Sequence, residues 1–156
     1  MVSDQRDKLG IEAWSLFLRT HAAVVRRLER ELERAQRMPL TWYDVLLELN
    51  AAPERRLRMQ ELGNKVVLSR SRVSRIVDEL CRAGLSRREP DPTDKRASYA
   101  VITEEGRHAL RSAAPIYLRG IDEHFTSLLD EDELTVVRDA LQRVLAAQEK
   151  LDQVAP

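Results

Sequence analysis

Six residues within one short segment, Ser69, Arg70, Ser71, Arg72, Ser74 and Arg75, set small hydroxyls among guanidiniums in the run LSRSRVSRIVDELCR. A serine hydroxyl is short enough to let a backbone approach and can both donate and accept. A guanidinium presents five donors in a planar fork on a long stem. Together they suit a polyanion with paired acceptors along its edges, as in a DNA groove, where a bidentate Arg–guanine contact contributes roughly 1–3 kcal/mol of discrimination. A second basic group follows in EPDPTDKRASYAVITEEG, residues 89 to 106, where Pro90 and Pro92 stiffen a turn-rich loop carrying Asp94, Lys95 and Arg96. An arginine at such a tip suits a narrow minor groove, where negative potential concentrates.

These side chains act together only if the chain holds them on one surface. On a wheel of 100° per residue starting at Ser69, Val73, Ile76, Val77 and Leu80 form one apolar stripe, which predicts the buried side of a helix. Ser71, Arg75 and Arg82 then project outward, with Ser74 and Asp78 on one shoulder and Arg72 on the other. Ser69 is a good N-cap, and Gly84 ends the helix. The preceding MQELGNKVVL reads as a compact helix with Leu62, Val66 and Val67 inward, giving a helix–turn–helix. Residues 85–89 and 98–103 read as two strands flanking the loop, a hairpin beside that pair.

Around this core the periodicity predicts long helices. Residues 9 to 37 carry Trp14, Leu18, Val25, Leu28 and Leu32 at helical steps and end before Pro39. Thr41 is expected to cap the next helix, with Asp44 at its third position and Pro53 beyond its end. Residues 57–59 read as a single short strand. Thr103 caps the following helix, favoured by Glu104 and Glu105 at its positive end, and Pro115 is expected to kink it. Asp130 and Glu133 form a capping pair for the last helix. The expected fold class is therefore mainly α with a small β-hairpin, a winged helix–turn–helix over about 40–104. Long helices over about 8–37 and 104–150 flank it within one domain spanning 1–156.

The charge agrees with a polyanion-facing middle. Residues 55–98 hold twelve basic against six acidic side chains, and the remainder fourteen against twenty, so a net charge of zero conceals a basic centre between acidic ends. Cys81 is the single cysteine, which excludes an internal disulfide and fits a reducing cytoplasm. No stretch approaches the ~18 uncharged apolar residues of a membrane span, so no membrane association is expected.

The segment LRMQELGNKVVLSRSRVSRIVDELCRAGLSRREPDPTDKRASYAVITEEG resembles the DNA-binding core of the multiple-antibiotic-resistance-regulator (MarR) family of bacterial transcription factors. The wing signature stands here as Asp94, Arg96, Ile102 and Thr103, followed by Gly106. The resemblance implies a homodimeric repressor of double-stranded DNA. Ser69 to Arg75 would face the major groove, Arg96 would enter the minor groove, and Asp94 would hold the wing by pairing with a nearby basic side chain. The dimer has a separate argument in the apolar residues of the outer helices. Leu9, Ile11, Trp14, Phe17 and Leu18 lie at the front, and Ile116, Tyr117, Ile121, Phe125, Leu128, Leu134, Val137, Leu141 and Leu145 at the back, more than a small core can cover. Two reading helices about one DNA turn, ~34–36 Å, apart call for a near-palindromic operator.

Many members of that family release DNA on binding a small aromatic or phenolic molecule between the dimerisation helices and the reading lobe. Trp14, His21, Trp42 and Tyr43 are the candidates here, with core and interface packing as the competing reading; His21, among Ala22, Val24 and Val25, reads better as a partly buried histidine. Some members sense peroxide through a cysteine near the first helix, a position Cys81 does not share, so a packed thiol is expected. His21, His108, His124 and Cys81 have no metal-ligand spacing. With no phosphate-cradling glycine loop, nucleophile elbow or paired acids, neither catalysis nor a cofactor is expected. The rival reading is a winged helix that binds a protein. It would require exposed aromatics or leucines on the face that Ser71 and Arg75 occupy, and the wheel places none there.

Overall fold

The computed structural model describes residues 2–66 and 68–154, and within these the side chains of 5–151 other than Arg70. The expected fold class is the one observed: six α-helices and a small antiparallel sheet among the described residues. Helix α1 (Val2–Gln36) starts seven residues before the predicted position, because Ser3 to Lys8 are polar but include no helix breaker, and apolar periodicity marks only where the buried stripe begins. It ends where Arg37 enters the left-handed region (φ 50°) ahead of Pro39.

Helix α2 (Leu40–Ala51) begins one residue before the expected cap. Thr41 lies inside it; no side chain caps it, and the Pro39 carbonyl accepts the first N–H groups, from Trp42 at 2.9 Å and Tyr43 at 3.2 Å. Leu40, Tyr43, Val45, Leu46 and Leu49 are all buried, so apolar side chains cover most of its circumference and α2 is the central helix of the core. A short helical turn, Pro53–Arg55, leads into strand β1 (Arg56–Arg58), helix α3 (Met59–Lys65) and helix α4 (Arg70–Arg82). Leu62 of α3 is buried and Val66 half-buried; the Val67 expectation lies outside the described residues.

Strands β2 (Ser86–Pro90) and β3 (Ser98–Ile102) form the predicted hairpin, and β1 adds to it, giving the order β1–β3–β2. The register pairs Leu57 with Ala100 and Arg88 with Ala100 across opposite edges of β3. Pro90, which lacks a donor, closes edge strand β2.

One joint fixes α4, the hairpin and helix α5 (Glu104–His124) together. Gly84, at φ 75°, ends α4 with hydrogen bonds from Gly84 N to Cys81 O (3.0 Å) and from Leu85 N to Leu80 O (2.9 Å), the paired bonds of a glycine-terminated helix. The Thr103 hydroxyl donates to Gly84 O at 2.7 Å and accepts from Gly106 N at 3.0 Å, so one side chain caps α5 and ties it to the end of α4. Gly106 packs so closely on the Leu85 carbonyl that a Cβ there would overlap it.

Pro115 sits inside α5 without ending it. Helix α5 lies along α1, with His124 Nε2 2.5 Å from Glu31 Oε1, and also packs on α2, where the Tyr43 and Tyr117 rings are 4.5 Å apart. That packing changes one expectation: Ile116, Tyr117 and Ile121 are half-buried against this chain's own core and are only partly free for a partner. After a turn at Thr126–Leu128, helix α6 (Glu131–Val154) opens with the expected reciprocal pair: Asp130 N donates to Glu133 Oε2 (3.0 Å) and Glu133 N to Asp130 Oδ1 (2.8 Å). The exposed large apolar side chains fall mostly on α1, among them Leu9, Ile11, Trp14 and Leu16, and on α6, among them Val136, Leu141, Val144 and Leu145. Among the described residues no helix is long and apolar enough to cross a membrane.

Candidate nucleic-acid interface

Helix α4 forms as the wheel requires. Ser69 is its N-cap and accepts from Arg72 N, at 3.4 Å; Val73, Ile76, Val77 and Leu80 are buried. Ser71, Arg72 and Arg75 are exposed on the other side, with Ser69 Oγ 3.3 Å from Ser71 Oγ. Arg70 opens the helix, and its side chain lies outside those described. Lys95 and Arg96 are exposed at the hairpin loop. Among the described residues, Arg72, Arg75 and Arg96 form no ion pair, so their guanidiniums remain available to an external anion.

Ser74 differs from the other serines. It is half-buried, and its hydroxyl accepts from Arg88 Nη2 at 3.0 Å, with the Ser74 carbonyl oxygen 3.3 Å from the same nitrogen. Arg88 Nε and Nη2 also reach Asp78 Oδ1, at 3.1 and 2.9 Å, and Nη1 reaches Ser98 Oγ at 3.4 Å. The α4 shoulder predicted from the wheel is thus occupied by an arginine from β2. In the sequence Arg88 is legible only as charge, because the partner of a strand residue on a neighbouring helix has no sequence spacing to reveal it.

The wing is held by a different aspartate from the one the family pattern implies. The Asp94 carboxylate accepts from Arg96 N at 2.9 Å, a local turn contact, and Asp94 is exposed. The buried acid is Asp91. Its Oδ1 accepts from the Thr93 hydroxyl (2.7 Å), Thr93 N (2.8 Å) and Asp94 N (3.3 Å), and its Oδ2 lies 2.6 Å from Arg58 Nη2. The two Thr93 hydrogen bonds first, and the Arg58 charge after them, hold the Asp91 carboxyl below the usual carboxylate range. Arg58 Nε is 3.3 Å from the Tyr99 hydroxyl, and the Arg56 guanidinium sits 4.8 Å from the centre of the Tyr99 ring. The sequence signal was present: an aspartate two residues before a threonine, in DPTD, is a side-chain-to-backbone turn pattern. Arg58, Ser74, Arg88, Asp94 and Arg96 together line a cleft of about 550 Å³ between the start of α3 and the wing.

The four effector candidates are not brought into one cavity. Trp14 is exposed on α1 and stacks on Phe17 at 5.9 Å. Trp42 is half-buried and donates from Nε1 to Glu79 Oε2 at 3.1 Å, joining α2 to α4; Tyr43 is buried against Tyr117. His21 is exposed rather than partly buried as expected, because burial along α1 begins only at Val24. It borders an apolar cavity of about 460 Å³ with Phe17, Val25, Phe125, Val137 and Leu141. On α2, burial and then the adjacent Glu48 raise the Asp44 carboxyl to about 6. Cys81 is half-buried, its sulfur 3.3 Å from Ser86 Oγ. Among the described residues no group of three or more His, Cys, Asp or Glu is placed to hold a metal ion.

Comparison with known proteins gives this geometry its context. Residues 38–97 match the model described as the MarR family. The transcriptional regulator MhqR of Bacillus subtilis is 35% identical over 86 residues, covering 55% of this chain and 59% of that protein, so the match spans less than two thirds of that relative's length. The structure is similar to that of Sco3205 from Streptomyces coelicolor, a MarR family transcriptional regulator in complex with DNA: 31% identity, TM-score 0.81, covering 86% of this chain and 85% of that one. BpsR of Bordetella bronchiseptica, whose DNA binding is regulated by 6-hydroxynicotinic acid, has a TM-score of 0.76 with 85% and 98% coverage. At 16% identity that likeness is one of fold alone. Both closer relatives are named as transcriptional regulators, in agreement with the expectation of a non-enzymatic chain.

Proposed function

The chain belongs to the MarR family of transcriptional regulators, and from that premise we propose that it is a cytoplasmic, homodimeric repressor that binds a near-palindromic operator in double-stranded DNA. Ser69, Ser71, Arg72 and Arg75, with Arg70 beside them, face the major groove. Lys95 and Arg96 reach the adjacent minor groove, Asp94 shapes the loop that carries them, and Ser74, on the shoulder of the helix, accepts from Arg88 on the wing side. One observation carries this reading: three exposed guanidiniums, Arg72, Arg75 and Arg96, make no ion pair among the described residues, while the helix beneath two of them is anchored by four buried apolar side chains. The domain spans 1–156, and α1, α5 and α6 form the dimer. The exposed apolar side chains of α1 and α6 support this, because surfaces of that kind mark protein contacts.

Release by a small aromatic acid or phenol is part of the same proposal, supported by the regulation of BpsR by 6-hydroxynicotinic acid. Of the four candidate effector residues, His21 is the one that borders an apolar cavity of ligand size, about 460 Å³. Trp14, Trp42 and Tyr43 contribute through the packing of α1 and α2. A ligand acts to the extent that it binds one arrangement of the two reading lobes better than the other.

The test is binding by the full chain to the duplex it selects from a random-sequence pool, measured across salt. Arg75→Ala is expected to weaken specific binding about 5- to 150-fold, with little effect on nonspecific DNA. Arg96→Ala is expected to lower the salt slope by roughly one for each phosphate that is no longer neutralised. Wild-type binding by both variants at every salt concentration overturns the assignment.

A further inference from the structure

We propose that Arg88 is a positioning residue that sets the angle between the wing and the reading helix, so that Arg75 and Arg96 engage DNA together. This rests on the DNA-binding reading above. Among the described residues the two groups of proposed DNA contacts share no hydrogen bond or ion pair. Arg72 and Arg75 stand on α4, whereas Arg96 stands on a loop beyond β2. Besides the Arg56–Glu89 pair on β1 and the Cys81–Ser86 contact at the start of β2, two contacts flank the loop more closely. The Asp91–Arg58 contact at 2.6 Å ties its base to β1 and leaves α4 out. Arg88 bonds the reading helix itself, at two points one turn apart: Ser74, through its hydroxyl (3.0 Å) and carbonyl (3.3 Å), and Asp78, through both Nε (3.1 Å) and Nη2 (2.9 Å). Its remaining nitrogen reaches Ser98 Oγ on β3 at 3.4 Å, so the fork spans α4 and both strands of the hairpin.

Two points on one helix and one on the neighbouring strand define an orientation, where a single ion pair would define only a distance. Arg88 lies midway along β2 while Arg96 lies at the loop, so a tilt at the strand is magnified at the tip. The planar fork suits this role. Lysine would keep the charge but reach one acceptor at a time. The side chains of Arg88 and Asp78 are 33% and 51% exposed, and pairs that open to solvent contribute little to global stability, so the contact is better placed to orient the wing than to hold the fold together. Asp78 also offsets the charge of Arg88, which makes this arginine a poor phosphate ligand beside the uncompensated Arg72 and Arg75.

Two variants distinguish positioning from direct contact. Asp78→Asn removes a negative charge beside the proposed interface, so a purely electrostatic role for Arg88 makes this variant bind DNA more tightly. Positioning makes it bind more weakly, because the fork loses its charged acceptor. Arg88→Lys is then measured alone and combined with Arg96→Ala, on the duplex selected by the wild-type chain, with thermal melting as the folding control. The expected result is a loss of about tenfold for Arg88→Lys in the wild-type chain and less than about twofold once Arg96 is alanine, because residues acting through one another are non-additive. Equal losses in both backgrounds, or tighter binding by Asp78→Asn, overturn the proposal while leaving Arg75 and Arg96 as contacts. Unchanged binding by Arg75→Ala and Arg96→Ala themselves removes the DNA-binding reading and this inference with it.

Discussion

Glycine-to-alanine is the smallest change that adds a side chain, and in this fold its sign should depend on the site. At Gly106 an added Cβ overlaps the Leu85 carbonyl oxygen and lies 2.9 Å from Ile102 Cγ1 and 3.0 Å from the Leu85 carbonyl carbon. The obstacle is chiefly backbone, which cannot swing aside as a flexible side-chain end can. Relief requires α5 to move off the turn where the Thr103 hydroxyl joins Gly84 O to Gly106 N. Overpacking of this kind costs about 3 kcal/mol, against which alanine's better helix propensity returns about 1 kcal/mol. The net loss of about 2 kcal/mol should lower Tm by about 4–8 °C in a chain of this length. At Gly10, inside α1, a Cβ meets nothing within 4 Å, so the same substitution should gain up to about 1 kcal/mol. Thermal and urea unfolding at one fixed protomer concentration measure both, since the proposed dimer would make Tm concentration-dependent. A Gly106→Ala protein as stable as wild type would refute the close approach and, with it, the account of why this joint requires glycine.

Two further perturbations test the packing behind the interface. Asp44, half-buried with its carboxyl raised to about 6, titrates higher in the fold than in the unfolded chain, so the fold takes up a proton and this group's contribution to stability grows as pH falls from 7 through 6 towards 4. Asp44→Asn should therefore be about 1–2 kcal/mol more stable than wild type at pH 7.5, after discounting for partial exposure, with the difference closing near pH 4; equal urea midpoints at pH 7.5 would contradict it. Trp42→Phe removes the Nε1 donor to Glu79 at 3.1 Å and should cost about 1–3 kcal/mol, whereas Glu79→Gln keeps an acceptor there and should cost less. Reversal of that order in denaturant titrations would mean that the hydrogen bond does not tie α2 to α4.

How much of this was legible in the sequence depended on the range of the physics involved. Local signals worked. Ser69, Gly84, Thr103 and the Asp130–Glu133 pair are decided by hydrogen bonds within a few residues, and each sits where its residue type placed it. The inward stripe of α4 was readable because 3.6-residue periodicity is also local. Thr41 misled because Pro39, already extended at ψ 140°, offered its carbonyl to the first turn, and a cap-type side chain one residue inside a helix has nothing to cap. Partners across elements were out of reach. Arg88 and Ser74 are fourteen residues apart and Arg58 and Asp91 thirty-three, and no spacing rule selects these arginines over their neighbours. The effector candidates failed to converge for the same reason: four aromatic or imidazole residues on two helices cannot be assigned to one cavity before the rotation of each helix is known.

That distinction among arginines bears on how a chain of zero net charge would bind a polyanion. With twenty-six basic and twenty-six acidic residues there is no overall charge to draw it towards DNA, and at physiological salt the basic middle is felt only within about 8 Å. Attraction then has to come from guanidiniums already close to phosphates and bases. Several arginines of the basic segment are engaged internally: Arg56 with Glu54 and Glu89, Arg58 with Asp91 and Tyr99, Arg87 with Glu89, and Arg88 with Asp78. On the proposed function, affinity rests on a small set with no ion pair among the described residues, Arg72, Arg75 and Arg96 with Lys95, and depends steeply on how these are aimed. The paired arginines are the structural counterpart. With their charge balanced by neighbouring acids, they hold the helix and the wing so that the guanidiniums with no ion pair among the described residues, together with Lys95, can meet one duplex at once on that proposal.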